Sequence, residues 1–199
     1  AEQALIPANG PKDVQRNPYD WSSDGKFILY ATFHENNEDL WAYEVATRRE
    51  FALAHSAFNE SQGQFSPDGQ WVAYTSDETG TPEVYVAKFL APDRLGERRT
   101  MISVKGGTEP RWREDGSELY YIAPEGALMA VSLTPGEALR AAKPVALFTG
   151  KLRFGFGWHS SYSYAVTNRG QRFLLVSRDR PALPAPIAVV LQPDLRGGR

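Results

Sequence analysis

The sequence predicts an all-β fold assembled from about four repeated units. Three observations lead to this expectation. Aromatic residues make up 12% of the 199 residues, and large rings favour the pleated packing surface of strands. The 17 glycines and 14 prolines favour many turns. In addition, one short segment recurs four times along the chain, and internal repetition is the signature of repeat architectures.

The recurring segment is a turn followed by an apolar strand. Its copies span residues 21–30, 65–74, 112–121 and 166–175, and their glycines at 25, 69, 116 and 170 are 44, 47 and 54 residues apart. Glycine between apolar runs favours a hairpin, so turns are expected at Asp24-Gly25, Asp68-Gly69, Asp115-Gly116 and Arg169-Gly170. The hairpin around Gly69 is expected to have a two-residue loop. A period of roughly 40–50 residues is typical of one four-stranded propeller blade.

Each repeat supplies the antiparallel strands of one blade. The strand after the turn is apolar in succession, as at residues 27–30 and 71–74, which indicates that both of its faces are buried. Third strands are expected at residues 39–45, 83–89, 127–133 and 187–191. Shorter fourth strands are expected at 49–53, 99–103 and 144–148. The predicted blades span residues 12–54, 60–104, 107–149 and 160–192 of one domain, 1–199.

The last repeat lacks a fourth strand, whereas residues 3–6 form a spare strand at the other end. This strand either completes the last blade and closes a ring, or belongs to an upstream blade. In an open arc, apolar residues of the end blades would be exposed, and Ile28, Tyr30, Phe173 and Leu175 are assigned to those faces. Ring closure, self-association of two chains, or missing upstream blades of a longer parent would cover them.

The composition argues against several classes of protein. A net charge of −2 gives no basic surface, so no nucleic acid partner is expected. Cysteine is absent, which excludes thiol catalysis and Cys-based zinc sites. No apolar run approaches the roughly 20 residues of a membrane helix, so this segment is not expected to insert. The three histidines lack ligand spacing, and residues 59–63 lack the first glycine of a Gly-x-Ser-x-Gly elbow. No catalytic residue, metal or cofactor is expected.

The segment Ser66-Pro67-Asp68-Gly69 resembles the TolB-like β-propeller repeat, a WD40-like repeat also known as PD40. Residues 58–69, 170–174 and 186–191 are similar to the C-terminal blades of bacterial multidomain proteins with an upstream serine/threonine kinase or winged-helix domain. Propellers of this kind usually have about six or more blades, so four repeats imply a fragment, a small ring, or assembly with another chain. The resemblance also favours a periplasmic or extracytoplasmic location, with the cytoplasm left open.

The expected function is non-catalytic recognition of a protein or small ligand, as a scaffold or as the sensor part of a signalling protein. Two alternatives remain open. One is a hydrolase or lyase that acts at the central channel. The other is the propeller part of a prolyl-oligopeptidase-like peptidase whose catalytic domain is absent from this sequence. Fold alone does not decide among them.

Two loops contain candidate binding residues. The loop at residues 55–63 is rich in hydrogen-bonding groups and includes Asn59 and Glu60. The loop at residues 153–162 combines glycine with rings and includes Phe154, Phe156, Trp158 and His159. Flexible backbone beside rigid rings suits a ligand or partner contact. It also suits a structural role, in which the loop fills the centre of the propeller.

Arg111 and Arg113 are further candidates, because they flank Trp112 on an expected innermost strand. Alternation along a strand places both arginines on one face. They either face the central channel, where they would bind carboxylates or phosphates, or pair with Glu109 or Glu114 at the rim.

Overall fold

The computed structural model describes residues 15–34, 36–136, 139–149, 162–167, 169–175 and 188–191. These residues contain sixteen strands in four antiparallel sheets, and no helix occurs among them. Within each sheet, with one exception at the outer edge of the third, strands that follow one another in the chain lie side by side. The expectation of an all-β chain of about four blades is therefore confirmed.

The first two blades each have four strands in sequence order. The first blade consists of β1 (Gln15–Trp21), β2 (Phe27–His34), β3 (Asn37–Glu44) and β4 (Arg49–Ala54). The second consists of β5 (Glu60–Phe65), β6 (Trp71–Ser76), β7 (Glu83–Leu90) and β8 (Arg94–Met101). The outermost strand β8 begins before its expected start at residue 99, because it pairs with β7 as far as Leu90 and Arg94.

The third blade has a divided outer edge, and the fourth is described in part. The third consists of β9 (Thr108–Trp112), β10 (Glu118–Ile122), β11 (Ala127–Thr134), β12 (Arg140–Ala141) and β13 (Val145–Thr149). Both β12 and β13 pair with β11. The fourth consists of β14 (Tyr164–Thr167), β15 (Arg172–Leu175) and β16 (Ala188–Leu191). The expected strand at residues 3–6 lies outside the described residues.

The repeat glycines lie in the predicted turns, but the loops are longer than two residues. Gly25, Gly69, Gly116 and Gly170 all have positive φ, between 70° and 79°. In the second blade, the backbone N–H of Ser66 donates to the carbonyl of Trp71 at 2.8 Å. The Ser66 hydroxyl in turn accepts from the Trp71 N–H at 2.9 Å and donates to Asp68 at 2.6 Å. These side-chain hydrogen bonds stabilise a four-residue loop, so the two-residue expectation is wrong.

Apolar cores lie between successive blades and account for the buried strands. Phe27 and Leu29 pack against Val72 and Tyr74 between the first and second blades. The alternate residues of β6, including Trp71, face the third blade. Every residue of β6 is buried. This explains why residues 71–74 are apolar in succession and do not alternate with polar residues.

The assignment of apolar residues to the outward faces of the end blades is wrong for Phe173 and Leu175. Phe173 and Leu175 are buried against Tyr120 between the third and fourth blades. Leu174, which points to the opposite face of the same strand, is 43% exposed. Tyr30 lies on the face of β2 opposite to Leu29, as assigned, but it is buried and its hydroxyl donates to Glu50 at 2.8 Å.

Candidate functional site

The innermost strands β1, β5, β9 and β14 meet around a cavity of about 320 Å³. The repeat places equivalent residues from each strand at this mouth, at the same two positions before the turn glycine. They are Asp20 and Trp21, Gln64 and Phe65, Arg111 and Trp112, and Ala165 and Val166. Trp21 is 55% exposed. The mouth therefore offers large apolar surface beside a few charged groups, which is the usual composition of a ligand site.

Arg111 lies inside this mouth. The predicted role in binding a carboxylate or phosphate requires this position. The Arg111 guanidinium carbon is 3.6 Å from the centroid of the Tyr162 ring, within range of a cation–π interaction. Among the described residues, its buried Nε has no hydrogen-bond partner. Asp20 lines the same cavity, and burial raises the pKa of its carboxyl although the Phe65 N–H and the Arg111 charge act in the opposite direction. Arg111 thus holds a positive charge at the mouth.

Arg113 also lines the mouth, but its charge is already paired. Its Nε is 3.3 Å from Asp115 Oδ2, and one terminal nitrogen is 3.2 Å from Glu118 Oε2. The sequence offered Glu109 or Glu114 as the partner of the arginines, and for Arg113 both choices are wrong. Asp115 follows in the turn and Glu118 begins the neighbouring strand, so the hairpin itself brings them to Arg113.

Glu109 instead joins the third blade to the fourth. Its Oε2 accepts hydrogen bonds from the backbone N–H of Ser163 at 2.5 Å and from the Ser163 hydroxyl at 2.9 Å. Its backbone carbonyl accepts from the Tyr164 hydroxyl at 2.8 Å. The Glu109 side chain is therefore used between blades rather than at the rim.

Related side-chain hydrogen bonds join the other inner strands, and sequence reasoning missed them. Asp20 accepts from the Phe65 N–H at 2.8 Å, Gln64 accepts from the Trp112 N–H at 3.0 Å, and Gln62 accepts from the Glu109 N–H at 2.8 Å. In each case a side-chain oxygen satisfies a backbone donor of the following inner strand. The available signal was the residue with a side-chain oxygen just before Trp21 and Phe65, namely Asp20 and Gln64.

Asn59 and Glu60 lie at the opposite end of β5 from the mouth. The backbone N–H and the side-chain amide of Asn59 donate to Asp77 at 2.8 and 2.7 Å. The Asn59 side-chain oxygen accepts from the Glu38 N–H at 3.1 Å. Asn59 therefore joins the first blade to the second, and Glu60 beside it is buried. The structure does not bring these two residues together with Arg111 and Arg113.

The other four candidates, Phe154, Phe156, Trp158 and His159, lie outside the described residues. Within the described ranges, no group of three or more His, Asp or Glu side chains could hold a metal ion. A search of the same ranges finds no helix with the length and apolar character needed to cross a membrane.

No protein-family model matches this sequence. Over 94 residues it is 29% identical to the Tol-Pal system protein TolB of Anaeromyxobacter sp. (strain K), covering 46% of this chain and 20% of that protein. Over 180 residues it is 23% identical to dipeptidyl-peptidase 5 of Porphyromonas gingivalis, covering 84% of this chain and 24% of that protein. The chain thus spans a quarter or less of these relatives.

The structure is similar to the crystal structure of TolB from Acinetobacter baumannii. The TM-score is 0.59 at 18% sequence identity, and the match covers 83% of this chain and 38% of the other. Likeness at this level of identity shows the fold. Together with the repeat, the four consecutive sheets and the inner-strand mouth, it shows that the chain has a β-propeller fold of the TolB-like kind.

Proposed function

We propose that this chain is a recognition propeller whose mouth binds an extended segment of a partner protein. The observation that carries the proposal is the cavity of about 320 Å³, which joins exposed aromatic surface to the Arg111 guanidinium. Interfaces concentrate their binding energy in Trp, Tyr and Arg. The mouth presents the exposed Trp21 beside Arg111, so the proposed segment carries an apolar side chain next to a carboxylate.

The serines at the mouth support recognition rather than hydrolysis. A serine nucleophile needs a base within hydrogen-bond reach. The Ser66 hydroxyl donates to Asp68 at 2.6 Å, and the Ser23 hydroxyl donates to the Pro67 carbonyl at 3.0 Å. The Ser66 hydroxyl therefore stabilises its own turn, and the Ser23 hydroxyl joins the first blade to the second. No histidine is among the described residues that line the cavity.

A second candidate is a propeller that admits substrate to a peptidase domain carried elsewhere. The similarity to dipeptidyl-peptidase 5, which extends over 84% of this chain, favours it. In that arrangement the mouth would pass many peptides and hold none tightly. A recognition surface would instead bind peptides that share one consensus sequence. The two functions therefore differ in the specificity of peptide binding.

Selection of random displayed peptides on the immobilised chain tests the proposal. We expect a consensus with an acidic residue next to an apolar one. Fluorescence polarisation should then show binding weakened about tenfold or more by Arg111→Ala and by Trp21→Ala, as for central interface residues. Arg98→Ala is the matched control, since Arg98 is exposed on the edge strand β8, and binding should be unchanged.

Two results would contradict recognition at the mouth. Selection without any consensus would favour the passage function. A consensus peptide that binds Arg111→Ala and Trp21→Ala as tightly as the unmodified chain would place the binding surface elsewhere.

A further inference from the structure

Four carboxylates converge where the loop at residues 55–60 joins the first blade to the second. We name Glu38, Asp39, Glu60 and Asp77 the junction carboxylates. Glu38 and Asp39 lie on β3, Glu60 begins β5, and Asp77 follows β6. The site lies at the end of β5 opposite to the mouth, so it is separate from the proposed binding surface.

Two of these carboxylates are buried without full hydrogen bonding. Glu38 is 1% exposed and Glu60 is 3% exposed. Oε1 of Glu60 accepts from the Ser56 hydroxyl at 2.5 Å, and Oε1 of Glu38 accepts from the Tyr19 hydroxyl at 3.4 Å. Among the described residues, Oε2 of each has no hydrogen-bond partner. An ionised carboxylate in this state is costly, because burial removes water that nothing replaces.

The charges around the loop favour a neutral Glu60. Burial is the main influence on its protonation, and Asp39 and Asp77 add like charge, whereas the hydrogen bond donated by Ser56 favours the ionised form and only partly offsets burial. Tyr74 also lies nearby. Ser61 and Tyr19 face Glu38.

The two histidines near this cluster face Asp39 rather than Glu60. Nε2 of His55 is 3.6 Å from Oδ2 of Asp39, and His34 also faces that carboxylate. A metal ion would neutralise the cluster, but no group of three ligands among the described residues could hold one. A proton on Glu60 would neutralise this carboxylate directly.

The same contacts hold the loop in place. The Ser56 hydroxyl that donates to Glu60 also accepts from the Phe58 N–H at 3.1 Å, and Asn59 next to Glu60 is bound to Asp77. Phe58, at the tip of this loop, is 44% exposed. A charge on Glu60 would repel Asp77 and Asp39, which lie on either side of the loop.

We propose that the junction carboxylates form a proton-controlled latch: neutral Glu60 holds the loop at residues 55–60 between the blades, and ionised Glu60 loosens it. The device is independent of the ligand of the mouth. Burial raises the pKa of Glu60 from its ordinary 4.5 to about 7, with smaller contributions from Asp39 and Asp77. The latch therefore opens within the range in which biological compartments differ.

The direction of the pH effect follows from this shift. A carboxyl with a higher pKa in the folded chain binds its proton more tightly there than in the unfolded chain. Its contribution to stability is complete below about pH 4.5 and is lost as the pH rises through about 7. Glutamine at position 60 imitates the neutral acid at every pH.

The test compares Glu60→Gln with the unmodified chain at about pH 5 and about pH 8. At the lower pH we expect nearly equal melting temperatures. At the higher pH the variant should melt about 5 °C above the unmodified chain, and amide hydrogen exchange in residues 55–60 should be slower in the variant at that same pH. Glu97→Gln, which removes an exposed carboxylate from β8, is the matched control and should show no pH-dependent difference.

A melting difference that is the same at both pH values would overturn the latch. So would equal exchange of the loop in the variant and the unmodified chain at the higher pH. Asp39→Asn gives a second measurement, because removing one charge that faces Glu60 should move the pH midpoint of unmodified Glu60 downward. An unchanged midpoint would also count against the proposal.

Discussion

Gln62→Ala is expected to lower the free energy of unfolding by about 3 kcal/mol. The Gln62 side-chain oxygen accepts from the Thr75 hydroxyl at 2.9 Å and from the Glu109 N–H at 2.8 Å, and the residue is fully buried. Truncation leaves both donors in the interior without this acceptor, and each such loss costs about 1–3 kcal/mol. One of the two bonds crosses from the second blade to the third, so the loss weakens the joint between blades. Urea unfolding measures the change.

Gln70→Ala provides the matched control for this experiment. Gln70 lies exposed in the turn before β6, and the same truncation there should change stability by less than about 0.5 kcal/mol. A double-mutant cycle tests the mechanism. Thr75→Val should cost less in the Gln62→Ala background than in the unmodified chain, since it removes a donor that is already unsatisfied. Strict additivity of the two substitutions would show that the hydrogen bond does not stabilise the fold.

The period of the repeat allowed the blades to be predicted from the sequence. The number of residues in each turn could not be predicted in the same way. Glycine at 25, 69, 116 and 170 takes positive φ in each case, and residue type alone indicates that. The loop length instead depends on Ser66, whose hydroxyl bonds both to Asp68 and to the Trp71 N–H. A serine before Asp-Gly is compatible with either length until the strand ends are located.

The alternation of side-chain direction along each strand separated its two faces. It did not show which face packs against a neighbouring blade. In β15, Phe173 and Leu175 share one face and Leu174 lies on the other. The sequence of this strand is apolar on both faces, so either face suits a core. Which face is buried depends on the order in which the blades pack, and in this chain Phe173 packs against Tyr120 of the third blade.

The inner strand could be recognised from the sequence, and Arg111 and Arg113 on it both line the mouth. The suggested partners of Arg113 were wrong, and binding by either arginine stays a prediction. Gln62 and Glu109 have positive φ of 56° and 59° and lie where the pairing of the inner strands shifts register. Such bulges redirect a side chain, so simple alternation does not reveal that Glu109 points toward the fourth blade.

Gly106→Ala is expected to lower the free energy of unfolding by about 3 kcal/mol, through two separate costs. Gly106 has a φ of 106°, which L residues with a side chain rarely adopt. A methyl group there would lie 2.5 Å from Cγ of Pro124, a ring that cannot rotate aside. The Gly106 N–H also donates to Glu83 at 2.8 Å. This buried hydrogen bond joins strand β7 of the second blade to the segment that leads to the third blade. The backbone at Gly106 therefore cannot shift without losing it.

Gly80→Ala separates the two costs. Gly80 has a similar positive φ of 83°, but nothing lies within 4 Å of the position of its added methyl group. This variant carries only the backbone strain, which we expect to cost about 1 kcal/mol. Urea unfolding of both variants should therefore place Gly106→Ala well below Gly80→Ala in stability. Equal losses would mean that the contact with Pro124 relaxes freely and that the crossing between the second and third blades tolerates a side chain.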